Sequence, residues 1–196
     1  MGKYILYSHA GSENHGCEAL LRTSIMTLKD IEAVYTETVQ ADQKYGLNQI
    51  VELRISQEEE FDDKIKKILY KIKYHLYRSN KVYYYHLYRK FIKNIDANKV
   101  YVSIGGDNYC YHFSEWLEVL NKEINKQGAE TILWGCSINE DELEDRKVIN
   151  DLEKYSLITA RETSTYSMLK NKLTRPDIKY IPDTAFLLPE IKKNLP

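Results

Sequence analysis

Five short stretches hold the residues best equipped for chemistry, and each follows a run rich in β-formers. The first is residues 10–16, after Tyr4-Ile5-Leu6-Tyr7. Gly11 and Gly16 let the backbone turn tightly or approach a ligand, and Asn14 is suited to cap the helix that begins there. The start of that helix presents unpaired N–H groups and a partial positive charge, the equipment of an anion site. Neither the G-x-G-x-x-G spacing of a dinucleotide site nor the Gly-Lys-Ser/Thr of a P-loop is present. A capped turn with no ligand is the other reading of these residues. Cys17, beside the helix start and near His15, could carry a lowered pKa and act as a nucleophile. The remaining stretches are Gly105-Gly106-Asp107, Gly135-Cys136-Ser137, Arg161-Glu162 and Pro182-Asp183-Thr184. Singly, each has a structural explanation: a turn for the glycine pair, a helix cap for Asp107 or Asp183, a surface ion pair for Arg161. Together they fall where an α/β sheet binds ligands, beyond the carboxyl ends of its strands.

The elements that must position them alternate strand and helix. After the first strand, Leu21, Ile25 and Leu28 repeat at helical spacing and give one apolar stripe. Strands are expected at 34–39, at 50–55, at the nearly continuous apolar run 100–104, and at 131–134, 157–160 and 178–181. A polar loop is expected at 41–48. A helix with Phe113, Trp116, Leu117, Leu120 and Ile124 on one face follows the fourth strand, with Gly128 just past its end. A charged helix is expected at 141–155, and another through Tyr166 and Leu169. The pattern predicts an α/β fold with a doubly wound parallel sheet and right-handed crossovers.

One segment, about 58–95, breaks the alternation. Glu58, Glu59, Glu60, Asp62 and Asp63 lead into a basic, tyrosine-rich tract. Acids in a first helical turn suit the helix dipole. Phe61, Ile65, Ile68, Leu69, Ile72 and Leu76 form an apolar face at helical spacing, and a second helix is expected over 82–92. Between residues 64 and 93 lie ten of the chain's 28 Lys and Arg residues and seven of its 17 tyrosines. The tract reads as an inserted helical hairpin packed on the sheet by its Ile/Leu stripe, or as a surface for an anionic membrane or a partner helix. Single-stranded nucleic acid is the reading set aside.

A length of 196 residues allows one domain with a sizeable core, and a net charge of −1 gives no global reason to expect nucleic acid. Three cysteines without metal-ligand spacing fit a reducing compartment. With neither a signal peptide nor an 18-residue apolar window in sight, the expectation is a cytoplasmic protein, with no metal and no cofactor.

Five runs, in order, resemble the polysaccharide pyruvyl transferase family. They are Asn14-His15-Gly16-Cys17-Glu18-Ala19-Leu20, Ser103-Ile104-Gly105-Gly106-Asp107, Trp134-Gly135-Cys136-Ser137, Thr159-Ala160-Arg161-Glu162 with a hydroxyl at Thr165 or Ser164, and Pro182-Asp183-Thr184-Ala185-Phe186. The resemblance implies a Rossmann-like domain over 1–190, one half of a GT-B-like architecture, with 191–196 starting a linker to a second domain. The implied activity transfers pyruvate as a ketal from phosphoenolpyruvate to a sugar residue of a cell-surface polysaccharide, lipid-linked or polymeric. The implied substrate-binding set is Asn14, Gly16, Cys17, Glu18, Gly105, Gly106, Asp107, Arg161 and Asp183. Arg161 would take the donor's carboxylate or phosphate, the first-loop amides a second anionic group, and Asp107 and Glu18 the acceptor hydroxyls. Cys17 stands where many members carry an acid. The family's catalytic histidine is expected in the second half, with His9, His15 and His112 as local alternatives. The membrane reading of 64–93 would place the protein on the inner face of the cell membrane. A sugar-nucleotide glycosyltransferase and a non-catalytic, truncated binding module remain the alternative functions.

Overall fold

A computed structural model describes residues 3–58 and 64–189. Seven strands form one sheet: β1 (Tyr4–His9), β2 (Ile31–Thr36), β3 (Glu52–Ile55), β4 (Val100–Ser103), β5 (Glu130–Cys136), β6 (Leu157–Ala160) and β7 (Asp177–Tyr180). Their order is β3-β2-β1-β4-β5-β6-β7, and every pairing is parallel. The order reverses between β1 and β4, the switch point beside which doubly wound folds bind ligands. Strand alternation divides the core. Ile5, Tyr7, Ala33, Tyr35 and Tyr101 face one layer of helices, while Leu6, Val34, Val100 and Val102 face the other.

Helix α1 (His15–Thr27) covers the second of these faces, with Leu21 buried and Ile25 packed beside it. Helix α2 (Val39–Lys44) follows β2 in what reads as polar loop, and β2 starts earlier than its β-branched residues suggest because Tyr4 pairs with Ile31. β3, by contrast, starts later than expected, at Glu52. Helices α3 (Lys64–Tyr77), α4 (Lys81–Leu87) and α5 (Arg89–Lys93) connect β3 to β4. The expected second helix is thus two short ones, and Leu87, Tyr88 and Phe91 bury against the sheet. The stripe on α3 does not: Ile68, Leu69, Ile72 and Leu76 are exposed, so the hairpin is not packed on the sheet by that stripe. The acidic lead at 59–63 and the side chains of 64–66 lie outside the described residues, as does the expected linker at 191–196.

Helix α6 (Glu115–Lys126) buries Leu117, Leu120 and Ile124 as its periodicity predicts. The charged stretch after β5 is a 3₁₀ turn, Glu140–Glu144, followed by α7 (Arg146–Leu152). Asp145 divides them, because its carboxylate caps α7 by accepting from the Lys147 N–H at 2.8 Å. Helix α8 (Thr163–Lys172) completes the layer over β6 and β7. No helix among the described residues is long and apolar enough to cross a membrane.

Candidate functional site

Parallel strands send their carboxyl ends to one edge, so the loops after β1, β4, β5, β6 and β7 share that rim. Arg161 leaves β6 there, its N–H donating to the Cys136 carbonyl at 3.2 Å. Its Nε donates to Ser137 Oγ at 2.5 Å, and its Nη1 to Asp183 Oδ2 at 3.3 Å. Ser137 in turn donates through its N–H to the Gly106 carbonyl at 2.7 Å, and through Oγ to Glu162 at 3.0 Å. Both glycines of the pair lie close under neighbouring side chains. A Cβ on Gly106 would stand 2.8 Å from Arg161 Nη1, and one on Gly105 only 1.8 Å from Asn108 Nδ2. The closing turn is fixed as well. Asp183 Oδ1 accepts from the Ala185 N–H at 2.8 Å, and Thr23 Oγ1 of α1 donates to Thr184 Oγ1 at 3.1 Å. Arg161, Gly105, Gly106 and Asp183, all singled out by sequence, are therefore brought together, with Ser137 as their link. Thr165 is buried and donates to Glu162 at 2.5 Å, while Ser164 is exposed.

The first loop divides. Asn14 Oδ1 accepts from the N–H groups of Gly16 at 2.9 Å and Cys17 at 3.4 Å, so the cap occupies amides that an anion would need. Burial pushes the Cys17 thiol up from its ordinary value, and the carboxylates of Asp107 and Asp42 add to the shift. The thiol is thus kept protonated, against the lowered pKa a nucleophile requires. Cys17 does share the rim's electrostatics with Asp107, which is exposed. Glu18 points elsewhere. It accepts from Arg22 at 2.8 Å and meets His15 at 3.2 Å, in a groove of about 720 Å³ lined also by Ile25, Met26, Ile50 and Leu188.

Sequence reasoning missed a second constellation on the rim. His9 ends β1, and its Nε2 donates to Asp42 Oδ1 at 3.0 Å. The same oxygen accepts from the Ser12 N–H at 2.9 Å and Ser12 Oγ at 2.5 Å, with all three residues buried. Burial alone would raise the Asp42 pKa, but hydrogen bonds from His9, Ser12 and Thr36 outweigh it and hold the carboxyl below its ordinary value. Asn108 Nδ2 is a buried donor with no partner among the described residues. Beside Cys110, a cleft of about 600 Å³ opens between the loops after β4 and β5, lined by Tyr111, His112, Asn139, Asp141 and Glu142. His112 holds a φ of +46°, and its N–H donates to Glu142 at 2.8 Å. The run Gly105-Gly106-Asp107-Asn108, the stretch Gly135-Cys136-Ser137 and the candidate histidine His112 were the sequence signals nearest this cleft.

The model of the polysaccharide pyruvyl transferase family matches residues 43–196. The chain belongs to that family. The match to the pyruvyl transferase model takes in the loops after β4, β5, β6 and β7, and begins after the Asn14–Leu20 run. No curated protein matches the sequence. Two crystal structures of Anabaena Alr3699/HepE are similar in fold, one in complex with UDP and glucose and one with UDP-glucose. Each gives a TM-score of 0.57 over 93% of this chain, at 9% and 8% identity. The chain covers 45% and 44% of those structures, so it spans less than half their length. At such identity the likeness establishes the Rossmann-like fold of this pyruvyl transferase-family chain and nothing further.

Proposed function

We propose that this chain carries the acceptor side and one donor-binding cation of a pyruvyl transferase of cell-surface polysaccharide synthesis. In the reaction, two hydroxyl oxygens of a sugar bond to C2 of phosphoenolpyruvate and the C2–O–phosphate bond breaks. One hydroxyl proton goes to the methylene carbon, giving a methyl group, and the other leaves with phosphate. The observation that carries the reading is Arg161, fixed where the loops after β4, β5, β6 and β7 meet. A guanidinium so held offers its remaining N–H donors to the donor's carboxylate or phosphate. Asp183 and Glu162 set two carboxylates beside this cation, and exposed Asp107 follows Gly106 on the same rim, a balance that suits the hydroxyls of a saccharide better than a second phosphate contact. Further cations for the donor would come from the rest of the protein, as would the proton donor for the enol carbon. A lipid-linked or polymeric saccharide, met in the cytoplasm, is the acceptor class, with the cleft at Tyr111 and Glu142 as its approach.

Acceptor-dependent release of phosphate from phosphoenolpyruvate, together with a pyruvate ketal in the saccharide product, tests this reading. A second reading, transfer from a sugar nucleotide, is favoured by the likeness to a structure in complex with UDP-glucose. Release of UDP from UDP-glucose, with phosphoenolpyruvate left intact, would select it.

A further inference from the structure

Helix α3 turns the usual arrangement of a surface helix inside out. At about 100° per residue, Ile68, Leu69, Ile72 and Leu76 occupy one arc about 100° wide. These side chains are 58%, 53%, 51% and 71% exposed. The opposite face holds the helix to the protein. Tyr70 donates to Asn80 Oδ1 at 2.6 Å, and its ring lies 5.6 Å from that of Tyr83 on α4. Lys71 and His75 border the apolar arc on one side and Lys73 on the other. None of the chain's 29 Asp and Glu residues falls between 64 and 93, where ten of its 28 Lys and Arg residues lie. With −1 for the whole chain, this tract carries +10 and the remainder −11.

An outward apolar arc edged by lysines suits one surface well. The aliphatic side chains enter the boundary between headgroups and acyl chains, and the lysines extend to lipid phosphates. Single-stranded nucleic acid would need a series of free rings turned outward for stacking, yet Tyr70, Tyr74, Tyr83 and Tyr84 pack on one another, and on α3 it is Tyr77 that stands largely exposed. The corner between α3 and α4 is also tied to the rim. The Asn80 N–H donates to Glu115 at 2.6 Å and Lys81 to Glu118 at 2.6 Å, at the start of α6, which follows the Gly105–Asp107 loop.

We propose that α3 is an in-plane anchor that docks this protein on an anionic phospholipid membrane. The docked pose sets the carboxyl rim near saccharide carried on lipid. That last clause rests on the proposed function; the docking itself does not. The test therefore contains neither donor nor acceptor, and its failure would leave the transfer reading standing. The full chain is sedimented with phosphatidylcholine vesicles, with or without phosphatidylglycerol, at low and high salt. It is expected to bind only the anionic vesicles, and less at high salt. Lys71→Gln with Lys73→Gln lowers partitioning about 25-fold, at about fivefold for each charge. Leu69→Ser with Leu76→Ser lowers it at least as far with the melting temperature unchanged, and a Leu76→Trp variant shows blue-shifted emission on binding. Absence of binding to anionic vesicles, binding that survives both pairs of substitutions, or a preference for single-stranded RNA over the vesicles would overturn the proposal.

Discussion

In the proposed transfer reaction Arg161 is the donor-binding cation, and its neighbours say what it needs. Ser137 Oγ and Asp183 fix the plane of the guanidinium, so charge alone does not reproduce it. Arg161→Lys is expected to keep the fold and lose phosphoenolpyruvate affinity by about tenfold, the loss of one charge-assisted hydrogen bond; titration calorimetry reads it. Asp42 makes a different demand, since one buried oxygen serves three donors. Asp42→Ala leaves those donors without an acceptor and should cost about 3 kcal/mol in chemical denaturation. Because the Asp42 pKa is lowered in the folded state, its contribution is present above the unfolded value of about 3.9 and is lost as pH falls through the folded one. Asp42→Asn should remove that part of the acid limb of the stability curve. Arg161 and Asp183 were legible in the sequence because a charged residue after a β-run lands on the rim. The partnership of His9 with Asp42 was not, since 33 residues separate them and Asp42 sits in what reads as polar loop.

At the scale of elements, periodicity located the strands and the buried stripes of α1 and α6, because a face that must meet a sheet repeats at a fixed spacing. It could not say which way the stripe of α3 faces. The repeat records an apolar face, and only the packing of Tyr70 on α4 turns that face outward. Nor did it resolve the break at Asp145, where a local side-chain cap overrides a run of good helix formers. Two outcomes belong at this scale. Asn14→Ala removes the cap of α1 and should cost about 1 kcal/mol, a fall in melting temperature of about 2–4 °C. Gly106→Ala sets a methyl group 2.8 Å from Arg161 Nη1, the mobile end of a side chain that can shift. Its melting temperature should fall by less than the Asn14→Ala variant's while phosphoenolpyruvate binding is lost. A large loss of stability with binding intact would mean that the glycine serves the turn alone.

For the molecule as a whole, the parallel sheet was legible from strand–helix alternation, and with it the gathering of loops on one rim. Its family was legible only through the motifs, for the fold is shared with a structure bound to UDP-glucose and does not choose between donors. The charges beside Arg161 narrow the choice without making it. Thermal unfolding of the full-length protein with phosphoenolpyruvate, with UDP-glucose, and with neither tests the central claim most directly. Ligand at about a hundred times its Kd adds about 2.7 kcal/mol, a rise of about 5–10 °C for a chain of this size. The account predicts that rise with phosphoenolpyruvate and its disappearance in Arg161→Ala. A rise with UDP-glucose alone, or one with phosphoenolpyruvate that Arg161→Ala leaves untouched, would contradict it.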